Sequence, residues 1–274
     1  FMTFPDRPAA RDRVRRAIVP CGGKGTRMLA LTGGAPKELV PVAGVPVVER
    51  VLRECAASGV DAALVVVAPG KDAIGAHLAP LAGAPGMPAR IEFVVQPEPR
   101  GLADAIRHGR TFAADEPVVV ALPDNLFVGD APDDAPGVAQ VVDAWRTTGT
   151  NVVAVVEIRA EDAARRGPTS VLPGTLDGDL FRIARVPDKG ERGRTFDTGG
   201  APSAFTGVRR YVLLPEAFDV VDAVERELPA GAELDDVPVM QRLLAGGRLV
   251  GRRIRGRFLD VGLPQGYEEA TALL

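Results

Sequence analysis

The chain has 274 residues, with 33 lysines and arginines against 36 aspartates and glutamates, so its formal net charge is −3. A charge this close to neutral argues against a protein that binds nucleic acid. The 46% of hydrophobic residues indicates a folded core rather than a disordered chain. Two cysteines are too few for a secreted scaffold of this length that is held by disulfides.

Neither an export signal nor a membrane-spanning segment is predicted. The first 16 residues are polar and rich in arginine, and they lack the apolar core of a signal peptide. No run of about 18 apolar residues occurs along the chain. We therefore expect a cytoplasmic protein without membrane contact, in which residues 1–16 form an N-terminal arm.

Short apolar segments rich in β-branched residues predict strands in the first half of the chain. They are Ala17–Pro20, Ala63–Ala68, Ile91–Val95, Val118–Leu122 and Asn151–Ile158. Because these segments are apolar runs more than alternating patterns, we expect both faces of each strand to be covered. Apolar residues at helical spacing predict helices between the strands, at 46–59, 102–114 and 138–146.

This alternation predicts an α/β fold with a Rossmann-like, mostly parallel sheet and helices on both faces. Ligands bind such sheets beyond the carboxyl ends of the strands. After residue 159 the pattern is interrupted by glycine, proline and aspartate. Beyond this interruption, apolar residues predict strands at 204–213 and 249–254 and helices at 216–228 and 237–245.

A glycine-rich loop follows the first predicted strand, at residues 22–27. Its members are Gly22, Gly23, Lys24, Gly25, Thr26 and Arg27. Glycines directly after a strand let the backbone approach a ligand, so that N–H groups point at phosphate oxygens. The spacing fits neither a Walker A loop nor the dinucleotide-binding fingerprint, which needs a third glycine where Met28 stands. A second cluster follows, Pro36-Lys37-Glu38-Leu39-Val40-Pro41-Val42.

The two clusters resemble the signature of the sugar-1-phosphate nucleotidyltransferase family, most closely its thymidylyl- and uridylyl-transferring members. Four further segments resemble that family in the same chain order: Gln96–Ala103, Leu122–Asn125, Phe205–Val208 and Phe258–Gly262. The resemblance spans roughly residues 16 to 272. It therefore covers nearly the whole chain, and the signature together with four further segments in the same order is far more specific than any one motif alone.

The resemblance implies that a sugar 1-phosphate attacks the α-phosphorus of a nucleoside triphosphate, with dTTP or UTP favoured. The products are a nucleoside diphosphate sugar and pyrophosphate, and Mg²⁺ is the implied cofactor. The implied catalytic residues are Arg27, Lys37 and Asp124. The implied nucleotide-binding residues are Gly22, Gly23, Gly25, Thr26, Gln96 and Gly101. The implied sugar-phosphate-binding residues are Lys189, Thr206 and Gly207, and Asp124 and Asp260 are the implied metal ligands.

One departure from the family concerns the acceptor site. The family carries Glu-Lys-Pro there, whereas this chain reads Ile183–Gly190, in which Arg185 and Lys189 are both candidates for the phosphate-binding lysine. The acceptor is therefore open: the fold could act on a cyclitol phosphate, an amino-sugar phosphate or a phosphonate instead of glucose 1-phosphate. A catalytically silent homologue that binds nucleotide for regulation is the alternative from another functional class.

The remaining expectations concern organisation. We expect one domain over residues 17–274, with a nucleotide-binding half at about 17–159 and an acceptor half at about 160–274. Relatives of this length commonly form homodimers or homotetramers, and the resemblance implies the same here. Asp235 and Asp236 are typical of a helix N-cap pair, although they also resemble a family segment near the sugar site. Cys21 is interpreted as a small packing residue rather than a nucleophile.

Overall fold

The structure is a computed structural model that describes residues 13–23, 25, 28, 32–131, 133–159, 170–186 and 203–274. Thirteen strands and eight α-helices lie within these residues. The strands are β1 (Arg16–Cys21), β2 (Pro41–Val42), β3 (Val45–Pro46), β4 (Ala62–Val67), β5 (Arg90–Val95), β6 (Val118–Ala121), β7 (Asn125–Val128), β8 (Asn151–Arg159), β9 (Ser170–Asp177), β10 (Leu180–Arg185), β11 (Ser203–Leu213), β12 (Leu249–Arg253) and β13 (Arg257–Asp260). The helices are α1 (Val47–Ala57), α2 (Asp72–Leu78), α3 (Leu102–Arg107), α4 (Arg110–Ala113), α5 (Gly137–Thr148), α6 (Glu216–Glu227), α7 (Asp236–Ala245) and α8 (Pro264–Leu273).

Nine of the described strands form one sheet in the order β5-β4-β1-β6-β11-β8-β12-β10-β9. The run β5-β4-β1-β6 is parallel. Strand β11 then lies antiparallel to both of its neighbours, β6 and β8. The predicted α/β class is confirmed, and the sheet changes from a parallel run to mixed directions immediately beyond β6.

Helices cover both faces of the parallel run, as predicted. On one face Ile18 of β1 packs in a core that includes α3, α6 and α7. On the other face Ala17 and Val19 pack in cores that include α1 and α5. Successive side chains of a strand point to opposite faces, so an unbroken apolar run such as β1 needs cover on both sides.

Two predictions about local structure are wrong. Strand β5 is not covered on both faces, because it lies at the edge of the sheet and leaves 37% of Phe93 and 50% of Val95 exposed. The helix predicted over 102–114 is two short helices, α3 and α4. Gly109 separates them, and glycine is a poor former of helix interior.

A second, two-stranded sheet positions the site. Strand β7 begins only four residues after the end of β6 and pairs antiparallel with β13, so that Asn125 lies opposite Asp260. Neither strand is predicted by the apolar pattern, because both are short and half-exposed. Within the described ranges, no helix is long and apolar enough to cross a membrane.

Candidate active site

Two of the predicted motifs meet at the carboxyl ends of β1 and β6. The Nζ of Lys37, in a short 3₁₀ turn, donates a hydrogen bond to Oδ2 of Asp124 at 2.8 Å. The stem of Lys37 runs along the glycine loop. Its Cγ lies 3.4 Å from the position that a Cβ would occupy on Gly25, and its Cε lies 3.8 Å from that position on Gly23. The fold therefore brings the lysine cluster, the glycine loop and Asp124 together.

The Lys37–Asp124 pair keeps both groups charged. Burial alone would lower the pKa of Lys37, but attraction by Asp124 and the hydrogen bond that Lys37 donates to it outweigh burial and hold the pKa above its usual value. Burial alone would raise the pKa of Asp124, but Lys37 and Arg209 outweigh it and hold that pKa below its usual value. The site thus presents a cation beside a carboxylate.

The second predicted metal ligand lies beside the first. The backbone N–H of Val261 donates to the carbonyl of Asp124 at 2.9 Å, which ties the end of β13 to this turn. Oδ1 of Asp260 and Oδ2 of Asp124 lie 3.1 and 3.4 Å from the position of a Cβ on Gly262. Two carboxylates thus converge on one glycine. Among the described residues, no group of three or more His, Cys, Asp or Glu side chains is arranged to hold a metal.

Gln96 and Gly101 form the next part of the site. Gln96 is only 4% exposed, and its Nε2 donates to Oδ2 of Asp104 at 2.7 Å and to the carbonyl of Gly101 at 3.2 Å. Its Oε1 faces the glycine loop, 2.6 Å from the position of a Cβ on Gly22. Gly101 has φ +120°, and a Cβ there would lie 2.4 Å from the carbonyl oxygen of Leu234. Only glycine fits this close approach.

The structure describes only some of the remaining predicted site residues. Thr26, Arg27 and Lys189 lie outside the described residues. Thr206 and Gly207 lie in β11, on the far side of β6 from the glycine loop. Asp235 caps α7, because its side chain accepts a hydrogen bond from the N–H of Asp236 at 2.9 Å, which confirms the predicted N-cap.

Lys71 is a residue that the sequence analysis missed. Its Nζ donates to the carbonyls of Cys21 and Gly23, both at 2.7 Å, and to both carboxylate oxygens of Glu38 at 2.9 Å. Glu38 is 1% exposed. One ammonium group therefore joins the glycine loop to the turn that carries Lys37. A buried carboxylate needs a cation partner, but the sequence does not show that Glu38 is buried.

Arg210 and Glu54 were missed as well. Arg210 is fully buried and donates to the carbonyls of Leu122 at 2.9 Å and Asn125 at 2.7 Å, which lie on either side of Asp124. Its charge is balanced by Oε2 of Glu54 at 2.7 Å, and it lies 5.3 Å from the ring centroid of Phe258. Arg210 thus fixes the turn that carries Asp124.

Comparisons with known proteins identify the family of this chain. The family model for nucleotidyl transferases matches residues 16–274. A Bacillus subtilis (strain 168) protein provisionally named UTP–glucose-1-phosphate uridylyltransferase is 30% identical over 93% of this chain and 94% of its own length. A second protein of that strain, named UTP–glucose-1-phosphate uridylyltransferase, is 28% identical over 94% of this chain and 90% of its own length.

Solved structures share the fold. A UDP-glucose pyrophosphorylase complexed with UDP-glucose has a TM-score of 0.79 and 21% identity, and the alignment covers 95% of this chain and 98% of that one. A UTP-bound UGPase from Acinetobacter baumannii has a TM-score of 0.77 and 22% identity, with 95% and 93% covered. The predicted resemblance to sugar-1-phosphate nucleotidyltransferases is confirmed, and the chain belongs to the nucleotidyl transferase family.

Proposed function

We propose that this protein joins UTP to a sugar 1-phosphate, releasing pyrophosphate and a UDP-sugar. The observation that carries the proposal is the convergence of Lys37, Asp124 and Asp260 beside the glycine loop. Uridylyl transfer is favoured over thymidylyl transfer because the two curated relatives described above are named as uridylyltransferases. A phosphate oxygen of the sugar 1-phosphate forms a bond to the α-phosphorus, and the bond from that phosphorus to the β-phosphate oxygen breaks in line with it.

In this reaction the protein has little covalent chemistry to perform. The charge on the α-phosphoryl oxygens must be neutralised and the two substrates must be aligned. Lys37 supplies a cation whose position is fixed by Asp124 and by contact with Gly23 and Gly25. We assign the backbone N–H groups of the glycine loop to the triphosphate, and Arg27 to the leaving pyrophosphate, as the family resemblance implies.

The residues present fit a divalent cation. Asp124 and Asp260 supply hard carboxylate oxygens, and such a pair leaves coordination positions for water and substrate phosphates, which is the mode that Mg²⁺ prefers. Asp124 stays ionised in the folded protein because its pKa is lowered. When bound, Mg²⁺ would neutralise negative charge on the phosphoryl oxygens.

The position of Gln96 supports recognition of uracil or thymine. Its Nε2 is held by Asp104 and Gly101, so its orientation is set, and Oε1 faces the glycine loop. Oε1 is a hydrogen-bond acceptor, and its complementary partner on a base is an N–H. Uracil and thymine carry an N–H at ring position 3, whereas cytosine has an acceptor there. We therefore expect UTP and dTTP to be used in preference to CTP.

A matrix assay of pyrophosphate release tests this proposal. UTP, dTTP, CTP, ATP and GTP are each combined with glucose 1-phosphate, galactose 1-phosphate, glucosamine 1-phosphate and inositol 1-phosphate in the presence of Mg²⁺. We expect the highest rate with UTP and a hexose 1-phosphate. Release only with inositol 1-phosphate would reassign the acceptor to a cyclitol phosphate. No release with any pair, despite nucleotide binding, would overturn the proposal in favour of a silent homologue.

A further inference from the structure

Arg209 has a backbone conformation that is unusual for its residue type. Its φ is +58°, in the left-handed region that glycine adopts without steric cost and that a residue with a Cβ rarely adopts. The register of β11 on β8 shifts between Gly207 and Tyr211, so Arg209 lies in a bulge. Bulges redirect side chains and are common beside active sites, and strained residues persist where the surrounding structure holds them.

The Arg209 side chain forms an ion pair with the carboxylate of Asp236. Its Nη1 donates to Oδ2 of Asp236 at 3.1 Å, and the same oxygen accepts a hydrogen bond from the hydroxyl of Tyr211 at 2.7 Å. Burial lowers the pKa of Arg209, but attraction from Asp236 and Asp124 outweighs it and raises the pKa above its usual value. The Arg209 side chain is 24% exposed, whereas that of Asp236 is only 7% exposed.

The sheet order places Arg209 opposite the glycine loop. Strand β6, which leads to Asp124, lies between β1 and β11. The carbonyl of Arg209 accepts a hydrogen bond from the N–H of Leu122 at 3.2 Å, immediately before the Asp124 turn. We call the strands β5, β4 and β1 with the glycine loop the donor side, and the strands from β11 to β9 the acceptor side. Lys37 thus lies on the donor side of Asp124, and Arg209 lies on the acceptor side.

We propose that the Arg209 guanidinium binds the phosphate of the sugar 1-phosphate, on the side of Asp124 opposite to the glycine loop. The inference rests on the proposed function, because in-line transfer brings two phosphate-bearing substrates together from opposite sides of one phosphorus. Arg209 can donate several N–H groups to phosphate oxygens in a planar arrangement. Asp236 and Tyr211 hold the guanidinium in place before the substrate arrives.

The variant Arg209→Gly separates binding from folding. It removes the cation and supplies the residue that the left-handed backbone favours, so relief of backbone strain should offset part of the loss of the Asp236 ion pair, and the protein should remain folded by circular dichroism. Loss of hydrogen bonds to a charged group should raise KM for glucose 1-phosphate by about 10- to 100-fold. The KM for UTP should change by less than about threefold, since most of the contacts to the triphosphate remain. Arg209→Lys keeps the charge and should recover part of the affinity.

Ala114→Gly is the matched control. Ala114 is exposed and also has a positive φ, +50°, so this substitution relieves the same backbone conformation away from the site. It should stabilise the protein and leave both KM values unchanged. A rise in the KM for UTP alone in Arg209→Gly would overturn the acceptor assignment. An unchanged KM for glucose 1-phosphate would leave Arg209 as a structural partner of Asp236 and would also overturn the inference.

Failure of the proposed function would give a different result. If the unaltered enzyme releases no pyrophosphate with any substrate pair, the proposed function fails, and calorimetric binding of glucose 1-phosphate then tests the inference separately. Binding to the unaltered chain that is weakened at least about tenfold in Arg209→Gly would support the inference. Equal binding by the two proteins, or no binding by either, would overturn it.

Discussion

The strands on the two sides of Asp124 differ in direction and in the way they present positive charge. On the donor side, parallel strands end in a loop and a turn that lie next to each other, and Lys71 joins them by donating to two loop carbonyls and to the Glu38 carboxylate. On the acceptor side, an antiparallel strand places its cation by means of a bulge within the strand itself. The donor side resembles other phosphate-binding α/β sheets, whereas the acceptor side depends on one irregular residue.

The two sides should therefore differ in how readily their substrate can change. A loop fixed at several points can change little without loss of the phosphate site. A single cation in a bulge can be replaced or redirected without disturbing the strands that flank it. We therefore expect the donor side to tolerate substitution poorly and the acceptor side to determine which phosphorylated sugar is used.

The largest effect is expected at the boundary of the two sides. Asp124→Asn removes the carboxylate that pairs with Lys37 and faces Asp260, and kcat/KM should fall by about 10²- to 10³-fold for both substrates. Pyrophosphate release measures the rate, and circular dichroism checks the fold. Asp130→Asn, at an exposed aspartate, is the matched control and should leave the rate unchanged. A loss of less than about threefold in Asp124→Asn would contradict the assigned role.

A smaller effect, confined to the donor side, is expected for Lys71→Met. This change leaves the buried Glu38 carboxylate without its cation, so the free energy of unfolding should fall by about 3 kcal/mol. Urea denaturation measures the loss. The double variant with Glu38→Gln should be less destabilised than the sum of the single variants, because the two side chains interact directly. Additive losses would show that Lys71 does not hold the loop through Glu38.

The steady-state kinetics of Lys71→Met give a further test of the difference between the donor and acceptor sides. Displacement of Gly23 should raise KM for UTP and leave KM for the sugar 1-phosphate nearly unchanged. This is the reverse of the pattern expected for Arg209→Gly. If both variants changed the same KM, the division of the site into donor and acceptor sides would be wrong.

The pH dependence of the Lys37–Asp124 pair gives a third test. Asp124 has a lowered pKa, so its contribution to stability is present above its ordinary value of 3.8 and is lost as the pH falls through the lower folded value. Lys37 has a raised pKa, so its contribution is present below 10.5 and is lost as the pH rises through the higher folded value. The stability difference between the unaltered protein and Asp124→Asn should therefore stay constant from about pH 5 to about pH 9. A difference that changes near neutral pH would contradict the assigned charges.

The smallest effect is expected at Cys21, which lies at the end of β1 on the donor side. Burial raises the pKa of its thiol well above 9.0, and Glu38 raises it further. It is therefore not a thiolate nucleophile, and Cys21→Ala should change kcat by less than about threefold. Steady-state kinetics of this variant provide the check, and a loss of activity comparable to that of Asp124→Asn would refute the packing role.

The two sides also differed in how far they could be predicted from sequence. The glycine loop, Lys37 and Asp124 were predictable because each follows or flanks a strand in the chain, so that local order reflects spatial order. Arg209, Arg210 and Lys71 were not predictable. Their roles depend on a change of register, a buried ion pair and a contact between residues 33 positions apart, and none of these leaves a local pattern.

Most of the strands were predictable because their burial leaves a local apolar pattern in the chain. The apolar runs of β1, β4, β6 and β8 predicted these strands because both of their faces are buried. The edge strand β5 was predicted as a strand, but its exposure depends on its place in the sheet order, which the sequence pattern does not encode. Strands β7 and β13 are too short to show an apolar period. In the sequence they were marked only by Asp124, directly before β7, and by Asp260, at the end of β13.

The most direct test of the proposed reaction is ³¹P NMR of the protein with UTP, glucose 1-phosphate and Mg²⁺. Nucleotidyl transfer predicts that the three triphosphate resonances and the sugar phosphate resonance decline together. The two coupled resonances of a nucleoside diphosphate sugar and the single resonance of pyrophosphate should replace them, and Asp124→Asn should slow the conversion by about 10²- to 10³-fold. Appearance of inorganic phosphate and UDP, with the glucose 1-phosphate resonance unchanged, would show cleavage at the γ-phosphate and would contradict the account.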